Sequence, residues 1–438
     1  MRLISLRIVL LASLGMVLAR SIVLADPLLT LVPDRPSAVY QPGEPITWQV
    51  TLSGDDASLV QGATYVIKKG GGTVVGQGSL DLKPGPASIE TSSDEACTLL
   101  VEVTAPIDGH PPLVVRAGAA VDPDHVGPSM PRPDDFDAFW SGKLDELAAV
   151  PENPVLAPEE SGKAGVDYWQ VTLDNVGGAH IHGQLARPTH GDKFPALVIF
   201  QWAGVYPLQK SWVTDRAAEG WLVLDVMAHD LPIDQPKAFY DDQFQGPLKS
   251  YTSIGIDDRE NSYFLRMFLG DHRALEYLSE RPDWDGKTLV CSGTSQGGMQ
   301  TFATAALDPK VTALIVLCPA GGDPTGGKVG RRPGWPDWVA HATGHDAEKV
   351  FETSRYFDPV NFASRIKCPA LIALGLVDTD ATPSSVLATA NQLGGPKELL
   401  ILPEADHHGA NNTHAPYYAR STVWRTALLK GLPVPPAP

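Results

Sequence analysis

The chain has 438 residues, 43% of them hydrophobic, and a net charge of −17. At roughly 150 residues per domain, that length allows two or three domains and a large core. The acidic balance, with no Lys/Arg-rich run, excludes nucleic acid and an anionic membrane surface as expected partners.

Residues 1–25 read as a secretory signal peptide. Arg2 and Arg7 precede an apolar run from Ile8 to Leu18, and Val23-Leu24-Ala25 offers a cleavage point before Asp26. This predicts an exported protein, periplasmic or secreted, with no membrane attachment after cleavage. Residues 26–120 follow with short alternating runs, such as Ile46 to Leu52 and Thr98 to Thr104. Turn residues such as Gln41-Pro42-Gly43-Glu44 separate them. That spacing predicts a small immunoglobulin-like β-sandwich.

Residues 121–133 read as a Pro-rich linker. A helix is expected from about Asp134, with Phe136, Phe139, Trp140, Leu144 and Leu147 on one face. A β-hairpin over Tyr168–Leu173 and His180–Ala186 comes next. From Phe194 the pattern becomes strand–helix alternation, which predicts an α/β domain over 134–438 with a mostly parallel sheet flanked by helices. Residues 320–356 interrupt it with Gly, Pro and Trp and read as an insertion over the strand ends, a lid or pocket wall. The four cysteines read mainly as buried small hydrophobes, although export would permit a bridge between Cys318 and Cys368.

The chemistry gathers around Gly293-Thr294-Ser295-Gln296-Gly297. An apolar run, Leu289 to Cys291, precedes it, and an Ala-rich amphipathic segment from Met299 to Leu307 follows. Strand, tight turn and helix form the setting that presents a serine as a nucleophile. A serine hydroxyl needs a base to take its proton and an acid to orient that base. The loop after the strand at 370–375 offers Asp378 and Asp380, of which Asp378 is nearer the strand end. The loop after 398–402 offers His407 and His408, which the residues alone do not separate. The amide of Gln296 is one expected oxyanion donor, and that of Ala203 or Trp202 the other. His180 and His182 share a strand face, but no third ligand is obvious and no metal is expected. His341, His345 and His414 read as isolated loop histidines. The reaction needs no cofactor.

Several segments, in order, resemble the acetyl xylan esterase / cephalosporin C deacetylase family. They are Pro133 to Trp140, Gly255 to Tyr263 with Arg266 and Asp271, the elbow Gly293 to Gly298, Tyr356 to Ala363, Ile366 to Pro369, and Gly375 to Thr379. The resemblance implies an α/β-hydrolase fold over about 130–430 and a triad of Ser295, Asp378 and His407. It favours His407 over His408 and gives Ala203 and Gln296 as the oxyanion amides. Members of the family deacetylate short xylo-oligosaccharides and cephalosporin C and tend to form compact oligomers, so a homo-oligomer is allowed. The chain departs from the family at Gln201-Trp202-Ala203, where the family has His-Gly-Tyr; Trp202 adds bulk to the expected substrate pocket. The N-terminal sandwich also lies outside the family core.

The expectation is therefore a serine esterase that removes acetyl groups from carbohydrate. The alternatives are a peptidase or other ester hydrolase on the same fold, and a non-catalytic carbohydrate-binding or scaffold protein.

Overall fold

A computed structural model describes residues 28–54, 60, 62–83 and 85–437. The expected signal peptide lies outside the described residues. Eight strands come first: β1 (Leu28–Pro33), β2 (Val39–Tyr40), β3 (Ile46–Ser53), β4 (Ala63–Lys69), β5 (Thr73–Leu80), β6 (Ala87–Thr91), β7 (Cys97–Ile107) and β8 (His110–Val121). They form a three-stranded sheet, β1-β3-β6, and a five-stranded sheet, β2-β8-β7-β4-β5. Every pairing is antiparallel except β2 with β8. Alternation drives this: Ile46, Trp48 and Val50 point into a core of their own with Leu99, Val101 and Val103, while the residues between them face outward. Strands β5 and β6 are not apparent in the sequence, because exposed valines and glycines blur the alternation of Thr73–Leu80.

The rest of the chain adds helix α1 (Phe136–Ala148), strands β9 (Val155–Glu159), β10 (Val166–Asp174), β11 (His180–Pro188) and β12 (Phe194–Phe200), helix α2 (Ser211–Glu219) and strand β13 (Leu222–Val226). Helices α3 (Lys237–Gln245) and α4 (Tyr263–Glu280), strand β14 (Trp284–Thr294), helix α5 (Gln296–Leu307) and strand β15 (Ala313–Leu317) follow. Helices α6 (Ala347–Ser354) and α7 (Pro359–Ala363), strand β16 (Ala370–Gly375), helix α8 (Pro383–Ala390), strand β17 (Lys397–Leu402) and helix α9 (Ala415–Leu429) complete it.

The nine strands form one sheet in the order β17-β16-β15-β14-β12-β13-β11-β10-β9. The pairings from β17 to β13 are parallel, and those of β11, β10 and β9 are antiparallel at one edge. Strands β13, β15 and β16 are buried at every position, as expected of strands covered on both faces. Helix α2 packs on β11 and β13, and α5 on β12, β14 and β15. The chain runs from β12 to β13 on one side and returns to β14 on the other. The loops leaving β12 and β14 therefore diverge, and a crevice opens at their carboxyl ends.

The bridge allowed between Cys318 and Cys368 is not formed, and all four cysteines are free. The strand register explains this. Leu314 pairs with Ala370 and Leu317 with Ala373, so Cys318 lies past the end of β15 while Cys368 lies before the start of β16. At about 3.3 Å per residue, opposite strand ends are beyond the reach of a disulfide. Among the described residues, no helix is long and apolar enough to cross a membrane.

Candidate active site

Strand β14 ends at Thr294 and α5 begins at Gln296, leaving Ser295 as the turn between them. Ser295 holds φ 55° and ψ −121°, a conformation non-glycine residues avoid, so the turn stores strain. Its flanking glycines are required by close approach. A Cβ on Gly293 would lie 2.2 Å from the Gly297 carbonyl, and one on Gly297 would lie 2.2 Å from the Phe200 oxygen. The helix starts three residues earlier than the Met299 read from the sequence, because the Gly297-Gly298 pair continues it against β12 and Pro319.

His407, in the loop after β17, brings Nε2 to 2.9 Å from Ser295 Oγ and Nδ1 to 2.8 Å from Asp378 Oδ2. Asp378 is held in turn: its Oδ1 accepts the amides of Asp380 and Ala381, each at 2.8 Å. Burial opposes protonation of His407. The hydrogen bond and charge of Asp378, with Asp380 and Asp406 behind it, outweigh that, and the imidazole pKa stands above its ordinary value. His408 points elsewhere. Its side chain is 83% exposed against 12% for His407, and its nearest carboxylate is Asp380, at 4.0 Å. Asp406 sets this difference, since its Oδ1 accepts the amides of His408 and Ala410 and turns the loop.

Across the crevice, the loop after β12 carries Gln201, Trp202, Ala203 and Gly204. The backbone amides of Trp202, Ala203 and Gln296 donate to no protein acceptor among the described residues, so all three are free to receive an anion. The amide of Gly204 is occupied, by Tyr251 Oη at 3.4 Å.

Residues 125–323 and 339–423 match the family described as acetyl xylan esterase (AXE1). The chain belongs to the acetyl xylan esterase family. It is 30% identical over 400 residues to the acetyl esterase Axe7A of Xylanibacter ruminicola, a match covering 89% of each chain. The family match begins at residue 125, whereas the match to Axe7A extends into the β-region before it. Among solved structures, the acetyl xylan esterase of Paenibacillus sp. R4 is 22% identical, with a TM-score of 0.59 over 71% of this chain and 98% of that one. Acetyl xylan esterase 1 of Thermoanaerobacterium sp. is likewise 22% identical, with a TM-score of 0.58 over 68% of this chain and 96% of that one. The fold is thus that of the α/β-hydrolase esterases, and the protein is a carboxylic ester hydrolase.

In this acetyl xylan esterase family member, Ser295 and His407 open into a cavity of 470 Å³ with Trp202, Trp335 and Tyr418 on its walls. Trp335 comes from the interrupting segment at 320–356. It is pinned by its amide on the Asp380 carbonyl at 2.6 Å and by its carbonyl on the Gly321 amide at 2.9 Å. His414, read from sequence as an isolated loop histidine, also lines the cavity, and its Nε2 lies 3.0 Å from the Asp406 carbonyl. It thereby fixes the residue before His407. His180 and His182 both face Asp230, and no group of three or more metal-type ligands occurs among the described residues.

Three residues play supporting parts that the motifs do not show, two of them (His229 and Tyr251) outside any motif. Buried Gln201 donates Nε2 to the Tyr206 carbonyl and accepts the Ala228 amide on Oε1, closing the loop after β12. His229 is buried and its pKa is pushed down by that burial to about 4, so it is neutral. Its Nε2 lies 3.0 Å from the Gly204 carbonyl, which can only accept; Nε2 therefore carries the proton, and Nδ1 accepts from Tyr263 Oη at 2.7 Å. Tyr251 Oη donates to the Gln296 side chain at 2.5 Å while accepting the Gly204 amide. One phenol thus ties the two loops that carry the free amides.

Proposed function

We propose that the protein is an exported serine esterase that removes acetyl groups from carbohydrate through Ser295, His407 and Asp378. The observation that carries this reading is the continuous hydrogen-bond chain from Asp378 through His407 to Ser295 Oγ at the floor of an open cavity. As His407 Nε2 takes its proton, Ser295 Oγ attacks the acetyl carbonyl carbon. The oxyanion of the tetrahedral intermediate rests on the amides of Ala203 and Gln296. The imidazolium, held by Asp378, then protonates the departing sugar oxygen and leaves an acetyl-enzyme. Water, deprotonated by His407, attacks the acetyl-enzyme, and acetate leaves as Ser295 regains its proton.

Sugar as the alcohol portion is supported by the family and by the indole-walled cavity; Trp202 forms part of the substrate pocket. Residues 1–25 serve as the export signal, 26–120 as a separate β-sandwich, 121–133 as a linker and 134–438 as the catalytic domain, with 320–356 inserted in it. Acetate release from acetylated xylo-oligosaccharides and from 4-nitrophenyl acetate tests the reading. Ser295→Ala should abolish both. An equally active alanine variant, or turnover of peptides without turnover of either ester, sinks it.

A further inference from the structure

A second cavity of 230 Å³ adjoins the first and shares Trp202 and Thr294 with it. Trp202, 44% exposed, faces Trp212 with ring centroids 4.8 Å apart and is braced by Tyr206 at 5.5 Å. Trp212 stands in the first turn of α2. It is anchored on a small apolar cluster that includes Leu208, Met227 and Tyr240. A large indole braced by its neighbours and still 44% exposed beside a reactive serine leaves an apolar surface that they do not cover.

The floor of this cavity is polar. Asp225, on β13, is wholly buried. Gln184 Nε2 donates to one of its carboxylate oxygens at 2.8 Å, and the other has no hydrogen-bond partner among the described residues. Leaving an acceptor buried and unpaired costs free energy that a hydroxyl donor would recover. At the rim, Lys163 engages Asp215 at 2.5 Å and Glu219 engages Arg216. The rim charges are thus compensated within the protein, which favours a neutral ligand over an ion.

Aromatic faces beside a hydroxyl-accepting floor match a pyranose, which presents C–H groups on its faces and hydroxyls on its edge. We propose that this cavity is a second sugar subsite. The acetylated unit sits over Ser295, and the neighbouring unit of the same chain lies on Trp202 and Trp212 with a hydroxyl directed to Asp225. The inference rests on the carbohydrate deacetylation reading and extends it, making oligosaccharide chains rather than acetylated monosaccharides the preferred substrates.

Xylotetraose without acetyl groups is the probe, assayed as an inhibitor of 4-nitrophenyl acetate hydrolysis by the full chain. It should compete in the wild type, and its inhibition constant should rise about tenfold in Trp212→Ala. A severalfold rise is expected in Asp225→Asn, which leaves the aromatic pair intact and decides the matter if loss of the indole unfolds α2. No inhibition of the wild type, or inhibition constants unchanged in the variants, overturns the subsite. Failure of the wild type to hydrolyse 4-nitrophenyl acetate at all would instead overturn the esterase reading on which it rests.

Discussion

The two β-rich regions obey opposite plans, and the difference explains where chemistry can collect. In the sheets before residue 122, almost every pairing is antiparallel, so neighbouring strands run in opposite directions and their turns are divided between the two ends. In the nine-stranded sheet, the parallel strands all point one way. The loops after β12, β14, β16 and β17 therefore converge, bringing Trp202, Ser295, Asp378 and His407 to one crevice. The first region meets that crevice at second hand. Gly118 packs on Leu376, just before Asp378, and Gly70 and Thr73 hydrogen-bond to Arg332 and Gly330, close to Trp335. In the proposed reading, one region performs the reaction and the other braces the loops that do.

The largest effect is expected within the crevice. Asp378→Asn would keep the shape but present the wrong hydrogen-bonding partner to His407, and kcat should fall about ten-thousandfold. The same residue sets the pH profile. In the proposed mechanism His407 must be neutral to act as a base, and its folded-state pKa is raised by Asp378, so activity should be lost as pH falls through a value above that of an ordinary imidazole. The ascending limb of kcat/KM for 4-nitrophenyl acetate should report that value. A limb below the ordinary imidazole value in the wild type would mean that Asp378 does not govern the base.

How much of this was legible depends on the range of the interactions. Ser295 stood out because strand, glycines and helix are all within a dozen residues of it. Asp378 and His407 could be narrowed to their loops because each follows a recognisable buried strand. The choice between His407 and His408 was not local: it hangs on Asp406 turning the loop and His414 holding the Asp406 carbonyl. Tyr251 and His229 left no signal, since their partners on the other loops are brought together only by the fold. Strand β9 and helices α3, α6, α7 and α8 were missed for a different reason: each is short, and propensity in so few residues is weak beside tertiary packing.

Next in size is the tie between the two amide-bearing loops. Tyr251→Phe would remove the phenol that joins the Gly204 amide to the Gln296 side chain while keeping the ring packed on His229. About a tenfold fall in kcat is expected, with KM little changed, because the interaction aligns donors for the transition state rather than binding substrate. A rise in KM alone would assign Tyr251 to the pocket wall instead.

Smaller still is the effect of disturbing the seam. A Cβ on Gly118 would lie 2.5 Å from both the Cβ and the carbonyl oxygen of Leu376, so Gly118→Val must push the two regions apart. Overpacking of this kind costs about 1–3 kcal/mol, readable as a lowered urea midpoint. Activity should fall severalfold with it, because Leu376 leads into the turn that carries Asp378. A loss of stability with full activity would show that the acid loop holds its shape without the brace.

The smallest effect marks the boundary of the comparison. Lys69 and Glu95 form an ion pair at 2.6 Å in the first region, on a side chain 71% exposed at Glu95. Water screens such a pair, and fixing two flexible side chains offsets much of what attraction remains. Glu95→Gln should therefore change the unfolding free energy by less than about 1 kcal/mol and leave kcat where it was. The position is informative because Lys69 immediately precedes Gly70, whose carbonyl accepts the Arg332 amide at 2.9 Å. If the first region acts only through backbone and packing contacts at its seam, a charge one residue away is silent. A clear drop in kcat from Glu95→Gln would break the division of labour, since it would mean that surface charge in the first region reaches Asp378 or Trp335 through the seam.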